Sequence, residues 1–350
     1  MAWNGIFGHD DIVEQFRRAV GRGRLATSFL FVGPSGIGKY TFALRLARAL
    51  LCQESDPREL DACGECESCT QADAGTHPDI SIVRKPTEKS ELPLELLIGP
   101  LEKRMREGLL HDIGLKPFMG GRKIAIIDDA DYLNAEGANC LLKTLEEPPP
   151  RSVLILIGTS AARQLPTIRS RCQIVRFQPL AEDLLAELLV EQGVVSGIDA
   201  ARKLAMQSEG RLDLAVELTQ PEIGPFRENL LHGLAEPSFN SLRLSAAVLA
   251  FVEEAGREPA LRRRRLAQVV RMAIEFYRQV TRAAGGAPVS DDSLSTPLVE
   301  RSLATWAATD NVAPDCLDRS LEALAQIDRN VHQTALVECW MDDLARIYAS

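Results

Sequence analysis

The first half of the chain is punctuated by short runs of uninterrupted apolar residues. Residues 29–32 (FLFV), 80–83, 123–128 (KIAIID), 152–158 (SVLILIG) and 174–177 each predict a strand buried on both faces. Between them the apolar positions fall into helical spacing. Phe42, Leu44 and Ala47 predict a helix over 41–51, and a second helix over 138–145 is stopped by Pro148, Pro149 and Pro150. Strands apolar on both faces and separated by helices predict an α/β arrangement, a parallel sheet covered on both sides. After Gln178 and Pro179 no further strand is expected. Residues 180–192, 200–207 and 212–218 predict three short helices, and the remainder also reads as helical, with Leu266, Val269, Val270, Ala273, Tyr277 and Val280 at helix spacing. Boundaries near 178 and 220 divide the chain into 1–178, 179–220 and 221–350. Gly285, Gly286, Ala287 and Pro288, with the Ser/Asp-rich stretch after them, predict a loop between late helices.

Length and composition narrow this picture. The 350 residues exceed what one compact domain usually holds. Apolar residues at 45% and charged residues at 25% are those of a soluble globular protein with a sizeable core. The opening MAWNGIFGHDDIVEQF has no basic stretch followed by an apolar run, so no secretory signal is expected. No run of about 18 apolar residues predicts a membrane span, and a cytoplasmic location is expected. A net charge of -9 argues against a surface that grips DNA all over, while leaving room for a local basic face. Eight cysteines without a signal point to metal binding or free thiols rather than disulfides.

Four segments carry candidate chemistry. Gly33-Pro34-Ser35-Gly36-Ile37-Gly38-Lys39 follows a strand and opens a helix, the context of a phosphate-binding P-loop. Its glycines let backbone N–H groups close on phosphate oxygens, and Lys39 would reach the outer phosphates. The next position normally carries the Ser or Thr that ligates magnesium, but here it is Tyr40, whose oxygen lies at the far end of a rigid ring. Thr41 is displaced by roughly 100° around the helix. Asp128 closes a buried strand where an acid would hold magnesium, and Asp129 follows it. Cys63, Cys66 and Cys69 form C-x2-C-x2-C, with Cys52 eleven residues earlier, and four thiolates at such spacings can close a structural tetrahedral zinc site. An iron–sulfur cluster is the rival reading, although the C-x2-C-x2-C-x3-C-P run is absent; free thiols are the plain one. Cys140, Cys172, Cys316 and Cys339 are scattered and read as core thiols. Finally, Arg169 and Arg171 follow a buried strand, either as surface charges or as donors to a nucleotide on a neighbouring subunit. The run Arg262 to Arg265 reads as the solvated face of a helix rather than a DNA contact.

The P-loop, the four-cysteine insert after its helix, the segment from Asn139 to Pro149 (NCLLKTLEEPP) and Ser170-Arg171-Cys172 together resemble the clamp-loader subunits of bacterial DNA polymerase III, across roughly residues 5 to 180. The resemblance implies a RecA-like AAA+ P-loop domain (1–178) with an inserted zinc module (52–69), a small helical lid (179–220) and an all-helical collar (221–350). It implies a hetero-pentamer with gamma/tau and delta subunits that loads a sliding clamp on primed DNA, with ATP and magnesium as ligands of its motor subunits. Active AAA+ ATPases carry Glu where this chain has Asp129. Tyr40 and Asp129 therefore fit the delta-prime role, which offers the Ser-Arg-Cys arginine, Arg171, to a neighbouring ATP site; the alternative is a gamma/tau-like motor. Thr159 and Arg211 match the family's two sensor positions.

Overall fold

The structure, a computed structural model, describes residues 3–56, 58–86, 89, 91–119, 121–237, 240–287, 294–306, 311–328 and 331–349. They form two compact units, 1–216 and 217–350. The first is built on five parallel strands: β1 (Ser28–Val32), β2 (Ile80–Val83), β3 (Lys123–Ile127), β4 (Ser152–Gly158) and β5 (Gln173–Arg176), in the order β2-β3-β4-β1-β5. This is an α/β fold, a parallel sheet with helices packed on both faces.

The uninterrupted apolar runs are explained by what lies on either face. Phe29 and Phe31 of β1, Ile124 and Ile126 of β3, and Val153, Ile155 and Ile157 of β4 join one core, with Phe16 and Phe42 from the helices Asp10–Gly21 and Lys39–Leu51. Leu30 and Val32, Ala125 and Ile127, and Leu154 and Leu156 join the core on the opposite face, under the helices Leu94–Ile98, Leu109–Gly114 and Ala135–Glu146. Successive strand residues point to opposite faces, so a strand sandwiched between two helical layers needs apolar residues at every position. The central strands β1, β3 and β4 are buried along their whole length.

Three short helices, Glu182–Glu191, Ile198–Gln207 and Leu212–Leu218, follow the sheet, and Leu185, Leu189, Ala201, Ala205 and Ala215 make a separate small core there. Among the described residues of the second unit, every regular element is a helix. Its 26-residue helix Pro259–Ala284 buries Leu266, Val269, Val270, Ala273, Tyr277 and Val280, the positions read from their spacing. Trp340 is fully buried in the same core and donates from Nε1 to Ser320 Oγ at 3.1 Å. The predicted late loop is described only at Gly285–Ala287; residues 288–293 lie outside the described residues.

Two expectations are corrected. Cys172 and Cys316 are buried, but Cys339 is exposed and Cys140 only half-buried, because both lie on partly solvated sides of helices. The arginine run is not simply solvated: Arg262 Nε donates to the Gly256 carbonyl at 2.7 Å, Arg264 pairs with Glu217, and Arg265 pairs with Glu222 at 3.1 Å while stacking on Phe251 at 4.6 Å. Partners within the same unit engage these three arginines: a backbone carbonyl for Arg262, carboxylates for Arg264 and Arg265, and an aromatic ring for Arg265. Among the described residues no helix is long and apolar enough to cross a membrane.

Candidate functional site

The P-loop leaves the C-terminal end of β1, Asp128 that of β3 and Thr159 that of β4, so three adjacent strands deliver their functional residues to one edge of the sheet. Ligands of open α/β sheets bind outside that edge. The loop needs its glycines. A Cβ on Gly33 would sit 2.4 Å from the Phe177 carbonyl oxygen, and Gly38, at φ 91°, enters the helix from the left-handed region. His9, buried beside Phe177, donates from Nε2 to the Ile37 carbonyl at 2.8 Å and fixes the loop from outside; burial holds its pKa below the usual imidazole value.

The helix begins at Lys39, earlier than its apolar spacing alone indicates. Lys39 is buried, and its Nζ turns back to donate to the carbonyls of Gly33, at 2.7 Å, and Pro34. Burial pulls its pKa down to about 8, against the opposing pull of Asp128, Asp131 and Asp213. Thr41 is exposed on the helix.

A P-loop NTPase holds its magnesium from two places: the hydroxyl after the lysine and the acid at the strand end. Here those places are Tyr40 and Asp128, and both face the same guanidinium. Arg84 lies over the Tyr40 ring at 4.4 Å and donates to Asp128 Oδ2 from Nε at 2.8 Å and Nη2 at 2.7 Å. The other carboxylate oxygen of Asp128 accepts the Asp129 N–H at 3.1 Å. With no short hydroxyl and both Asp128 oxygens engaged, the residues present do not fit a magnesium ion. Asp129 stands in the left-handed region at φ 62°, and burial and the neighbouring Asp128 charge raise its pKa.

The two sensor-like residues are also engaged within the chain. Thr159 donates from its N–H to Asp131 Oδ2 at 2.7 Å and its hydroxyl bonds to the same oxygen, while Gln164 Nε2 donates to Asp131 Oδ1 at 2.7 Å. The Thr159 carbonyl accepts the Gly33 N–H, so this network reaches the P-loop. Arg211 pairs with Asp213 at 2.8 Å, and Asp213 lies directly on the loop: a Cβ on Gly36 would fall 1.7 Å from Asp213 Oδ1. The Leu212 N–H donates to the Gly36 carbonyl at 3.2 Å, fastening the start of the last short helix there.

The four cysteines come together away from that edge. Their sulfurs lie within 4.8 Å of one another, with Cys52–Cys66 at 4.0 Å and Cys63–Cys69 at 3.9 Å. Tetrahedral thiolates about 2.3 Å from zinc are about 3.8 Å apart, so these thiols could hold a metal ion. The N–H groups of Cys63, Cys66 and Cys69 point at the sulfurs of Cys52, Cys63 and Cys66. Burial tends to raise the Cys52 thiol, but hydrogen bonds from the Cys63 N–H, the Ser55 hydroxyl and the Glu54 and Ser55 N–H groups outweigh it and bring the pKa to about 6. Ser68 Oγ donates to the Leu51 carbonyl at 2.7 Å and bonds to His77 Nε2 at 3.0 Å, tying the module to the end of the P-loop helix.

Arg171 is exposed in the turn after the helix Pro166–Arg169. Its guanidinium reaches Glu146 Oε1 at 2.6 Å and donates to the Thr167 carbonyl at 3.0 Å. It is thus separate from this chain's own P-loop contacts and is held by the end of the helix Ala135–Glu146.

Sequence reasoning missed Arg84, Asp131, Gln164 and Asp213 at the site. Arg84 is invisible without the sheet: β2 and β3 pair with Val83 opposite Ile127, which sets residue 84 beside 128. Asp131 had a signal, since it stands in the same acidic DDAD stretch as Asp128 and Asp129.

Residues 8–181 match the family described as DNA polymerase III, delta subunit. The chain is 40% identical over 152 residues to DNA polymerase III subunit delta′ of Pseudomonas aeruginosa, covering 43% of each. It is 32% identical over 209 residues to subunit delta′ of Bacillus subtilis, covering 60% of this chain and 58% of that one. To subunit gamma/tau of Mycoplasma genitalium it is 31% identical over 210 residues, covering 59% of this chain and 33% of that one. The aligned segments span 43% and 58% of the two delta′ relatives. Over residues 8–181 the chain is thus similar to the DNA polymerase III delta-subunit family and to the delta′ subunits of these bacteria.

Proposed function

We propose that this chain serves as a non-motor subunit of a DNA polymerase III clamp loader. It takes its place in a hetero-pentamer with gamma/tau-like and delta-like subunits that opens a sliding clamp and sets it on primed DNA. The observation that carries this reading is Arg84 lying between Tyr40 and Asp128, where a motor subunit needs magnesium. Asp129 is one methylene shorter than the glutamate of active AAA+ ATPases, and a displacement of about 1 Å can cost on the order of 100-fold in rate.

Within the ring Arg171 donates to the nucleotide of a neighbouring subunit, a role suited to a permanently charged planar guanidinium. The division into a P-loop domain (1–178), lid (179–220) and collar (221–350) belongs to the same reading. So does a structural zinc at Cys52, Cys63, Cys66 and Cys69, where four protein ligands leave no open position. The internal pairing of Arg262, Arg264 and Arg265 favours DNA contact through other subunits.

The motor alternative keeps some support from the intact Gly33, Gly36, Gly38 and Lys39. ATPase measurement separates the two. The isolated chain is expected to show negligible turnover, while the complex reconstituted with it loads clamps. Motor-like turnover by the isolated chain, abolished by Lys39→Ala, would make the alternative correct.

A further inference from the structure

The four cysteines meet from two places in the chain. Cys52 follows the helix Lys39–Leu51, and the other three lie around the start of the helix Glu67–Asp73. One side chain that is not a thiol joins these two places. Ser68 stands between Cys66 and Cys69, is fully buried, and donates from Oγ to the carbonyl of Leu51, the residue before Cys52, at 2.7 Å. That carbonyl ends a helix and has no intrahelical partner of its own.

Ser68 is in turn held by His77, whose buried ring has fixed roles for both nitrogens. Nδ1 accepts the Asp79 N–H at 3.0 Å and is therefore unprotonated. The ring proton lies on Nε2, which donates to Ser68 Oγ at 3.0 Å and leaves the hydroxyl proton for the Leu51 carbonyl. Asp79 is anchored by the Phe118 and Met119 N–H groups and by Lys123 at the start of β3. A continuous run of hydrogen bonds thus leads from the sheet, through His77 and Ser68, to the backbone beside Cys52 and Cys69.

We propose that Ser68 and His77 are positioning residues of the metal centre, holding Cys52 against the other three thiols before a metal arrives. The proposal rests on reading the four cysteines as a zinc site. Without the Ser68 hydroxyl, the Leu51–Cys52 peptide loses its tie to the Cys66–Cys69 turn, and metal binding must include the cost of bringing Cys52 into place. Groups that orient ligands without touching the ion are worth roughly 10–100-fold in affinity.

The test is competition for zinc between the full reduced chain and a chromophoric chelator, with cobalt uptake followed by its visible spectrum. Ser68→Ala is expected to stay folded and to lower zinc affinity by about 10–100-fold, with the tetrahedral thiolate bands of cobalt weakened and shifted. Two changes at His77 separate positioning from packing. His77→Gln puts an amide N–H where Nε2 donates to Ser68, and should keep zinc affinity near that of the unaltered chain even where urea unfolding records lost stability. His77→Asn puts an amide oxygen where Nδ1 accepts from Asp79 and leaves Ser68 without its donor, so it should lose affinity as Ser68→Ala does. Should Ser68→Ala not fold, this pair decides. The proposal is overturned if folded Ser68→Ala binds zinc as tightly as the unaltered chain, or if the two His77 variants lose affinity alike. If the unaltered chain takes up neither zinc nor cobalt, the metal reading itself falls, and this proposal with it.

Discussion

Lys39 donates to two carbonyls of its own loop while burial lowers its pKa to about 8. Because the folded value lies below that of a free lysine, the cost of burying the charge is fully present below about pH 8. It is relieved as pH rises toward the unfolded value of about 10.4, where the chain gains stability from this group. Anion binding runs the other way. The loop's attraction for an anion such as ATP is expected to fall as pH is raised through about 8 and the ammonium is lost. Calorimetry across that range checks both the direction and the midpoint. Asp79 poses the opposite case. It is fully buried, pairs with Lys123 at 3.1 Å, and accepts the Phe118 and Met119 N–H groups at 2.7 and 2.9 Å. Burial works to raise its pKa, but these donors prevail and lower it, so its stabilisation is lost as pH falls through the folded value, below the usual carboxylate range. Asp79→Ala would leave the Lys123 charge buried without its carboxylate, and urea unfolding should record a loss of about 3–5 kcal/mol. Asp79→Leu with Lys123→Met should recover much of it.

At the scale of elements, the four-cysteine segment stands out because it has little apolar core of its own. Leu60 is its buried anchor, with the Leu60 carbonyl accepting from Trp3 Nε1 at 2.7 Å, while the helix Glu67–Asp73 starts on Cys66 and is pinned through Ser68 and His77. Metal analysis of the purified protein should find about one zinc per chain. Chelation should remove hydrogen-exchange protection from residues 59–73 while the sheet keeps its own, since β1, β3 and β4 are buried without the module's help. A folded, metal-free protein with that protection intact under reducing conditions would show the thiols to be plain structural cysteines.

At the scale of the molecule and the proposed assembly, the residue to test is Arg171. Its pairing with Glu146 holds the guanidinium on the outside of the P-loop unit, at the end of a helix rather than over this chain's own P-loop. An arginine supplied in trans is worth roughly 1,000-fold or more in phosphoryl transfer. Arg171→Ala should leave the subunit folded and the complex assembled, while slowing clamp loading and hydrolysis at one neighbouring site, with the other sites still turning over. Arg163→Ala, a nearby change outside the Ser-Arg-Cys segment, should be mild. Normal loading by an assembled Arg171→Ala complex would reduce this arginine to a surface charge.

The sequence alone determined the local chemistry. A strand covered on two faces must be apolar throughout, so β1, β3 and β4 were legible as unbroken runs. The long helix Pro259–Ala284 was legible because its buried side recurs at helical spacing. The P-loop and the cysteine spacing were equally readable, since each is a short segment whose chemistry lies among near neighbours. Tyr40 already announced that magnesium would be ill served. What lies beside Tyr40 and Asp128 was decided only by tertiary structure. Arg84 and Asp128 are 44 residues apart and meet because of the β2–β3 register. Asp213 reaches Gly36 because a later helix begins over the loop. The same holds for Thr159 and Arg211, which the family resemblance matched to sensor positions and the fold commits to Asp131 and Asp213. Local pattern records what each segment must bury, whereas the partner of a charged side chain depends on which strand end or helix start the fold brings beside it.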